Sequence, residues 1–398
     1  MAPDRTRVLV PGDELTGTLA AVRALRAGGY EPWLLVVVPH TFAARSRAVA
    51  GVVTAPDPDT DADGYVRAIA AAARRLGAGS VLPANESSLV LLAGRDDLFD
   101  DAVALGSPGA EIVARATDKN AVLALAHEVG IASPPTLSLA LADVGGDVPL
   151  PAIVKPSRTK LTLPDGRMAY FKAKRVGTIE ELRATLAQLP REPWVVQPYL
   201  AGALEAVAGV AWQGELVCAE HQVARRIWPL DAGFSSYAET VAPDRGLERR
   251  LGDLLGRLEW SGIWEAQFLR SGGERYLIDF NPRVYGSMAL AVAAGHNLPA
   301  IWLDLLHGGR PSPGPYRVGV GYRYEQNDIR AIVAARAWSG LVPRPGTTHA
   351  VFSLRDPKPL LVISAKKLVA RAQRRKQDHV AEVVPPEQDH RQPVDPEP

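Results

Sequence analysis

The sequence predicts a fold of class α/β and α+β: a unit built on a parallel sheet, followed by a unit of strands joined by turns. Three observations lead there. Over residues 1–110 short apolar runs alternate with helical patterns. From residue 151 onward strand patterns follow one another across turns instead. Near residues 262–281 an apolar strand, a glycine turn and a second apolar strand end in polar residues spaced two apart.

The first unit reads in order. RVLVPG is a short apolar run closed by Pro11 and Gly12. ELTGTLAAVRALRAGGY repeats Leu15, Leu19, Val22 and Leu25 at helical spacing and stops at Gly28 and Gly29. WLLVVV reads as a strand buried on both faces, GYVRAIAAAARRLGAG as a helix, and SVLPA as a strand. Such a βαβα rhythm favours a parallel sheet with helices on both faces. Ligands in these sheets sit beyond the strand carboxyl ends. Gly12, Asp13, Asn85 and Glu86 therefore stand on a candidate rim, with turn and helix-cap chemistry as their other reading.

A helix over DKNAVLALAHEVG follows, with Asp118 placed to cap it, and then a Pro-rich link. PAIVKP, MAYFKAKRV, WVVQPYL, EAVAGVAW and ELVCAEHQV read as strands, with a helix over EELRATLAQL between them. LERRLGDLLGRLEW is an amphipathic helix. GIWEAQFLR and RYLIDFN read as a hairpin around Ser271, Gly272 and Gly273, and helices resume at SMALAVAAG and AIWLDLLHG. In 366–376 Lys366, Lys367, Arg371, Arg374, Arg375 and Lys376 crowd together; a solvated terminal helix and an interfacial membrane helix both fit. The Pro- and acid-rich tail beyond is expected to be disordered.

Composition narrows the function. A chain of 398 residues, 47% hydrophobic and 22% charged, has material for two or three domains. Lys+Arg (45) nearly cancels Asp+Glu (44), so the net charge of +1 gives no reason to expect nucleic acid or an anionic membrane as partner. The single cysteine, Cys218, excludes an internal disulfide and a cysteine zinc cluster, and reads as a small buried apolar residue in a reducing, cytoplasmic setting. PWLLVVV falls far short of the roughly 20 residues of a membrane span. The N-terminus runs from charges straight into a strand and does not read as a signal peptide.

The polar endings carry the chemistry. Alternate residues of a strand share a face, so Asp279, Asn281 and Arg283 point together while Ile278 and Phe280 point into packing. The partner strand carries Glu265 and Gln267, also on one face. Across the hairpin these make a cluster of oxygen donors beside a guanidinium. Mg2+ takes oxygen ligands, few protein carboxylates and substrate phosphates, and arginine suits a phosphate whose charge is moving. The plainer alternative is a surface ion pair between Asp279 and Arg283 with Asn281 in a turn.

YLIDFNPRVYGS resembles the last core motif of ATP-grasp enzymes, and GIWEAQFL the preceding metal-ligand strand of their carbamoyl-phosphate-synthetase-like branch. ATDKNAVLALAHEVGIASPPT, PAIVKPS and WVVQPYLAGALEAVAGV resemble the first lysine segment, the second lysine strand and the adenine-holding hinge. The resemblance runs in order over residues 5–310. It implies an N-terminal Rossmann-like pre-ATP-grasp domain (1–110), a linker and helical part (111–150), a lid (151–200), a catalytic subdomain (201–345) and a C-terminal extension with a disordered tail (346–398).

The resemblance further implies a soluble carboxylate-amine ligase that uses ATP and Mg2+, with Mn2+ as a substitute. Lys119 and Lys155 would contact phosphates; Gln197, Tyr199 and Leu200 would hold adenine; Glu205 would accept from ribose hydroxyls. Gln267, Asp279 and Asn281 would bind Mg2+, and Arg283 would stabilise the transferring phosphoryl group. For Lys155 the alternative is snorkelling toward solvent. Gln267 stands where many members of the family have glutamate. The loop SRTKLTLPDGRMAY carries one glycine, Gly166, where a glycine run is usual; Arg158, Lys160 and Arg167 would hold phosphate there, or the loop is a simple turn.

Arg225, Arg226, Ser235 and Arg323 are weaker candidates for substrate, because arginine forks bind carboxylates; a solvated strand end also accounts for the arginine pair. The expected partners are a small carboxylate, an amine and a second copy of the chain as a homodimer. Alternatives are an ATP-grasp enzyme with a non-amine acceptor or one that only phosphorylates, and a non-catalytic ATP sensor. A dinucleotide-dependent oxidoreductase is disfavoured, because VPGDELTG lacks the spaced glycines that admit a pyrophosphate.

Overall fold

The apolar runs of the first unit pair in parallel, as their alternation with helices demands. The computed structural model describes residues 4–12, 15–140, 144–145, 147–158, 160–162, 168–190, 194–230 and 233–364. Strands β1 (Asp4–Pro11), β2 (Glu31–Val36), β3 (Gly51–Thr54), β4 (Ala78–Val81) and β5 (Ala104–Leu105) form a sheet of order β3-β2-β1-β4-β5. The pairs are parallel throughout. Helix α1 (Thr16–Ala27) packs Leu19, Val22 and Leu25 against one face, and α2 (Ala62–Leu76) packs Tyr65 and Ile69 against the other. The helices α3 (Glu86–Leu92) and α4 (Ala110–Thr117) follow β4 and β5.

Next come α5 (Lys119–Glu128), capped by Asp118 through the N–H groups of Asn120 and Ala121, and a small antiparallel sheet. That sheet has the order β10-β7-β11-β6, from β6 (Leu137–Leu139), β7 (Ala152–Pro156), β10 (Lys174–Val176) and β11 (Trp194–Pro198), with α6 (Ile179–Ala187) on it. A separate ribbon pairs β8 (Lys160–Thr162) with β9 (Met168–Tyr170), so MAYFKAKRV is two strands rather than the single one expected. β6 comes from the stretch expected to be linker. The small sheet's own apolar core includes Val154, Val176, Leu182, Trp194 and Val196.

The largest sheet has the order β16-β15-β12-β13-β14-β17-β18. Its strands are β12 (Ala203–Trp212), β13 (Glu215–Trp228), β14 (Phe234–Val241), β15 (Gly262–Ser271), β16 (Glu274–Asn281), β17 (Gly321–Arg323) and β18 (Thr347–His349). One face is covered by α4, α5 and α7 (Arg245–Leu258), with Trp264, Phe268 and Phe280 in the core. The other face packs Ala208, Val210 and Ile263 into one continuous core with α1, α8 (Ala289–Ala294) and α9 (Leu298–Leu306). Buried Cys218 belongs to that core.

Two features escape the sequence pattern. Helix α10 (Glu325–Ala334) covers β13 and β14, and its N-cap Tyr324 makes no side-chain cap bond. The stretch read as a C-terminal extension contributes β18, and Asp356 binds Arg23, Ser46 and the Arg47 N–H of the first unit. The basic segment 366–376 and the acidic tail lie outside the described residues, and among those described no helix is long and apolar enough to cross a membrane.

Asp244 shows how an end of α7 is secured. Its carboxylate accepts from the N–H groups of Gly246 and Leu247 and pairs with Arg275 at 2.5 Å. The Leu247 N–H first, then Arg275, hold its pKa down to about 2. A depressed carboxylate adds stability above its unfolded value near 4, lost as pH falls toward 2. The side chain is 39% exposed, so solvent screening leaves about 1 kcal/mol. Asp244→Asn keeps the cap and loses the charge; urea denaturation should show about 1 kcal/mol lost at neutral pH and a difference that vanishes in strong acid.

Candidate active site

The hairpin β15–β16 turns at Gly272 and Gly273, both at positive φ (58° and 87°), the conformation tight hairpin turns require. Its register sets Gln267 against Asp279 and Glu265 against Asn281. Ala206 of β12 lies between Gln222 and Gln267, and Ala208 between Glu220 and Glu265. Cross-strand partners share a face, so Gln222, Gln267 and Asp279 form one row and Glu220, Glu265 and Asn281 the next.

The alternation fails at one point. Gln267 opposes Asp279, but Phe268 opposes Leu277, leaving Ile278 as the extra residue of a β-bulge. Ile278 therefore does not point into packing as expected; it is half-buried, and Leu277 fills the core instead. The Ile278 carbonyl accepts a 2.6 Å hydrogen bond from Lys155 Nζ.

Lys155 comes from β7 of the small sheet, on the face opposite that sheet's core, which it shares with Gln197 through the pairs Val195–Lys155 and Gln197–Ile153. It is buried rather than snorkelling. Burial lowers its pKa, Asp279 opposes, Lys119 adds to the lowering, and the result is about 8. Lys119, the first residue of α5, puts Nζ 3.4 Å from Asp279 Oδ1, and its backbone N–H donates to Ser157. Burial alone would raise the Asp279 pKa, but Lys119, Lys155 and Arg283 hold it below its ordinary value. So Lys119, Lys155, Gln267, Asp279 and Asn281 converge.

Arg283 joins them without forming the surface pair with Asp279. Its Nη2 donates to Asn281 Oδ1 at 3.1 Å, its Nη1 to Val284 O, and its Nε meets Glu86 Oε2 at 3.3 Å. Glu265 is the residue whose place the sequence left open. Its Oε2 accepts from Gln267 Nε2 at 3.0 Å and Asn281 Nδ2 at 2.9 Å, and burial pushes it up to about 7. By taking both amide nitrogens it leaves both amide oxygens free of itself, and the Asn281 oxygen accepts from Arg283 Nη2. One carboxylate and two amide oxygens suit Mg2+, which completes its shell with phosphates and water. Among the described residues no cluster of three or more His, Cys, Asp or Glu could hold an ion alone.

Gln197 is buried and donates to Thr136 Oγ1. Tyr199 follows β11 with the Arg175 guanidinium 4.3 Å over its ring, and half-buried Leu200 lies next to it.

Other candidates stand elsewhere. Glu205 lies on the opposite face, where Arg270 and Arg275 each bind it at 2.6 Å. A bulge at Arg225 puts Arg226 opposite Tyr237, and Tyr237 opposite Arg323. Arg226 and Arg323 both grip buried Asp328 of α10, Arg225 pairs with Glu239, and Ser235 sits on the same back face. Arg226 and Arg323 fasten α10 to the sheet, and among the described residues none of the four hydrogen-bonds to the Asp279 cluster. Asn85 caps α3 through the Ser88 N–H. Gly12 packs against Thr18, where a Cβ would come within 2.7 Å. Arg158 lies 3.7 Å from Asp118. Asp13, Gly166, Arg167 and the Lys160 side chain lie outside the described residues.

A parallel α/β sheet, a small four-stranded sheet and a large, mostly antiparallel sheet, with two lysines meeting an acidic hairpin, have the architecture of the ATP-grasp fold. Residues 190–328 match the profile of a family described as ATP-grasp in the biosynthetic pathway with Ter operon. A search of curated sequences found no match. Among solved structures, L-amino acid ligase from Bacillus licheniformis is similar at 14% identity and TM-score 0.58, over 75% of this chain and 74% of that one. N5-carboxyaminoimidazole ribonucleotide synthetase from Thermus thermophilus is similar at 19% identity and TM-score 0.56, over 79% and 81%. The biotin carboxylase domain of Hydrogenobacter thermophilus 2-oxoglutarate carboxylase, determined with magnesium ADP and hydrogen carbonate, gives 13% and 0.59, over 79% and 73%.

The Lys155 pKa has a measurable consequence. Below about 8 the ammonium is charged and would attract an anionic ligand; above it the charge is lost. Calorimetric affinity for magnesium ADP should weaken by up to about tenfold per pH unit above that value. Lys155→Arg, charged throughout, should flatten the dependence.

Proposed function

We propose that the protein is an ATP-dependent ligase that activates a small carboxylate as an acylphosphate and couples it to an amine. The observation that carries the reading is the meeting of Lys119 and Lys155, from different elements, at Asp279, with Arg283 beside them. Nothing in packing calls for two ammonium groups and a guanidinium around one strand end. A polyphosphate does.

In the proposed reaction a substrate carboxylate oxygen attacks the γ-phosphorus of ATP. The bond to the bridging oxygen of ADP breaks as the new P–O bond forms, giving an acylphosphate. An amine nitrogen then attacks the acyl carbon, phosphate leaves, and the amine gives up a proton as the amide forms. Lys119 and Lys155 hold the phosphates as compact charges. Arg283 meets the charge that spreads over the transferring group, where a preorganised donor contributes most. Asp279, Gln267 and Asn281 would hold Mg2+, which supplies charge neutralisation at the phosphate oxygens. The small sheet over the site keeps water from the acylphosphate. Gln197, Tyr199 and Leu200 are assigned to adenine. The named ligase and synthetase among the similar structures are in keeping with this chemistry.

A panel of carboxylic acids and amines, assayed for ADP and phosphate release with magnesium ATP, tests the proposal. Release that needs both partners supports it; release independent of any amine would sink the ligation step. Arg283→Ala should lower turnover roughly 100- to 1,000-fold with ATP binding kept; normal turnover would remove the assigned role. Glu265→Gln should weaken Mn2+ binding in the presence of ADP roughly 10- to 100-fold by electron paramagnetic resonance, because the two amide ligands lose the carboxylate that orients them. An unchanged titration would count against the metal site.

A further inference from the structure

We propose that Glu86 is a positioning residue for Arg283, so that the parallel sheet supplies part of the phosphoryl-transfer site. The inference rests on the role assigned to Arg283 above. The strand order places β1 and β4 side by side where the connections reverse direction, the point beyond which α/β sheets bind ligands. Glu86 lies past the carboxyl end of β4, after residues 82–85, and opens α3. It is not needed for capping: Asn85 does that, accepting from the Ser88 N–H at 2.9 Å and from Ser88 Oγ at 2.7 Å. The Glu86 side chain turns away to meet Arg283 Nε at 3.3 Å.

The guanidinium has three fixed points: Glu86 at Nε, the Val284 carbonyl at Nη1 and the Asn281 amide oxygen at Nη2. The last two belong to its own strand end and turn. Only Glu86 comes from another element, and among the described residues it is the carboxylate in ion-pair contact with this arginine. The pair is shielded, with side chains 12% and 18% exposed, so water cannot readily take the place of a lost partner. The surrounding turn is braced by α1 of the same unit. Thr16 Oγ1 donates to the Gly286 carbonyl at 3.0 Å, and Gly17 lies so close that a Cβ would stand 2.6 Å from the Tyr285 carbonyl oxygen. The position of Glu86 relative to Arg283 is thus set by backbone packing on both sides. A guanidinium aimed before the reaction loses no orientational freedom during it.

The test compares two ligands of the full-length protein. Magnesium ADP reports ground-state binding; magnesium ADP with aluminium fluoride mimics the phosphoryl group in flight. Glu86→Gln should keep the magnesium ADP affinity and the melting temperature and lose roughly tenfold or more of the extra affinity given by aluminium fluoride. Arg283→Ala should lose the same increment, and the double variant no more than either single one. Glu86→Asp should recover part of the loss. If Glu86→Gln keeps the full increment, or if the two losses add, the positioning role is overturned. A fall in magnesium ADP affinity and melting temperature with an intact increment would mark a merely structural ion pair. Wild-type protein that binds magnesium ADP but gains nothing from aluminium fluoride would sink the phosphoryl-transfer reading itself.

Discussion

Two ammonium groups facing one carboxylate at the end of a strand govern the rest of this molecule. Lys155 and Lys119 repel each other, and both lose hydration at the site. Two unit charges at about 4 Å and an effective dielectric near 20 interact by roughly 4 kcal/mol, and the pair Lys119–Asp279, at 3.4 Å, is of that order. Asp279 makes the arrangement tenable but does not neutralise it, and Arg283 adds a third cation whose own partner is Glu86. Three cationic groups thus stand with three carboxyl groups, Asp279, Glu86 and Glu265, the last pushed up to about 7 by burial. Under the proposed function this cluster receives a polyanion that carries its own divalent counter-ion.

The bulge at Ile278 is what allows the two lobes to meet there. At the bulge the Ile278 side chain leaves the core to Leu277, and its carbonyl takes the hydrogen bond from Lys155 Nζ. Glu265 performs a related service on the neighbouring row. A buried carboxylate with a raised pKa is costly, and here its hydrogen bonds from two amides fix which way those amides face. Glu220, in the same row, is pushed up to about 8 by burial and accepts from Tyr285, which lies under the turn after Arg283. Polar groups concentrate on one face of β13, β15 and β16, while the back face spends its arginines on Asp328 and Glu205.

The sequence made part of this legible. Strand alternation put Asp279, Asn281 and Arg283 together, and the glycine turn gave the hairpin that faces Gln267 with Asp279. Asp118 as a cap and Lys119 as the next residue followed from local chemistry. Other parts were hidden because they depend on contacts far apart in the chain. A single inserted residue reversed the burial of Ile278 and Leu277, and periodicity cannot register a bulge in advance. Arg225, Arg226 and Arg323 read as anion ligands, since nothing local shows that Asp328, about a hundred residues from Arg226, takes two of them. Glu205 failed for the same reason, through Arg270 and Arg275. Helix α10 lacks a capping side chain, and β18 is only three residues long, so neither announces itself. Glu86 sat among cap-like residues, and only the ion pair with Arg283 distinguishes it from Asn85.

The continuous apolar core that joins α1 and the parallel sheet to the large antiparallel sheet has a mechanical corollary. Those two sheets share buried side chains, whereas the small sheet keeps a core to itself and touches the remainder chiefly through polar bonds such as Lys155 to Ile278. Shearing the first interface would expose oily surface; lifting the small sheet would break polar bonds such as Lys155 to Ile278 and the Lys119 N–H to Ser157. Under the proposed function, opening and shutting over a nucleotide would follow this softer direction. The thermodynamic unit that unfolds first on heating should be the same one that swings during turnover.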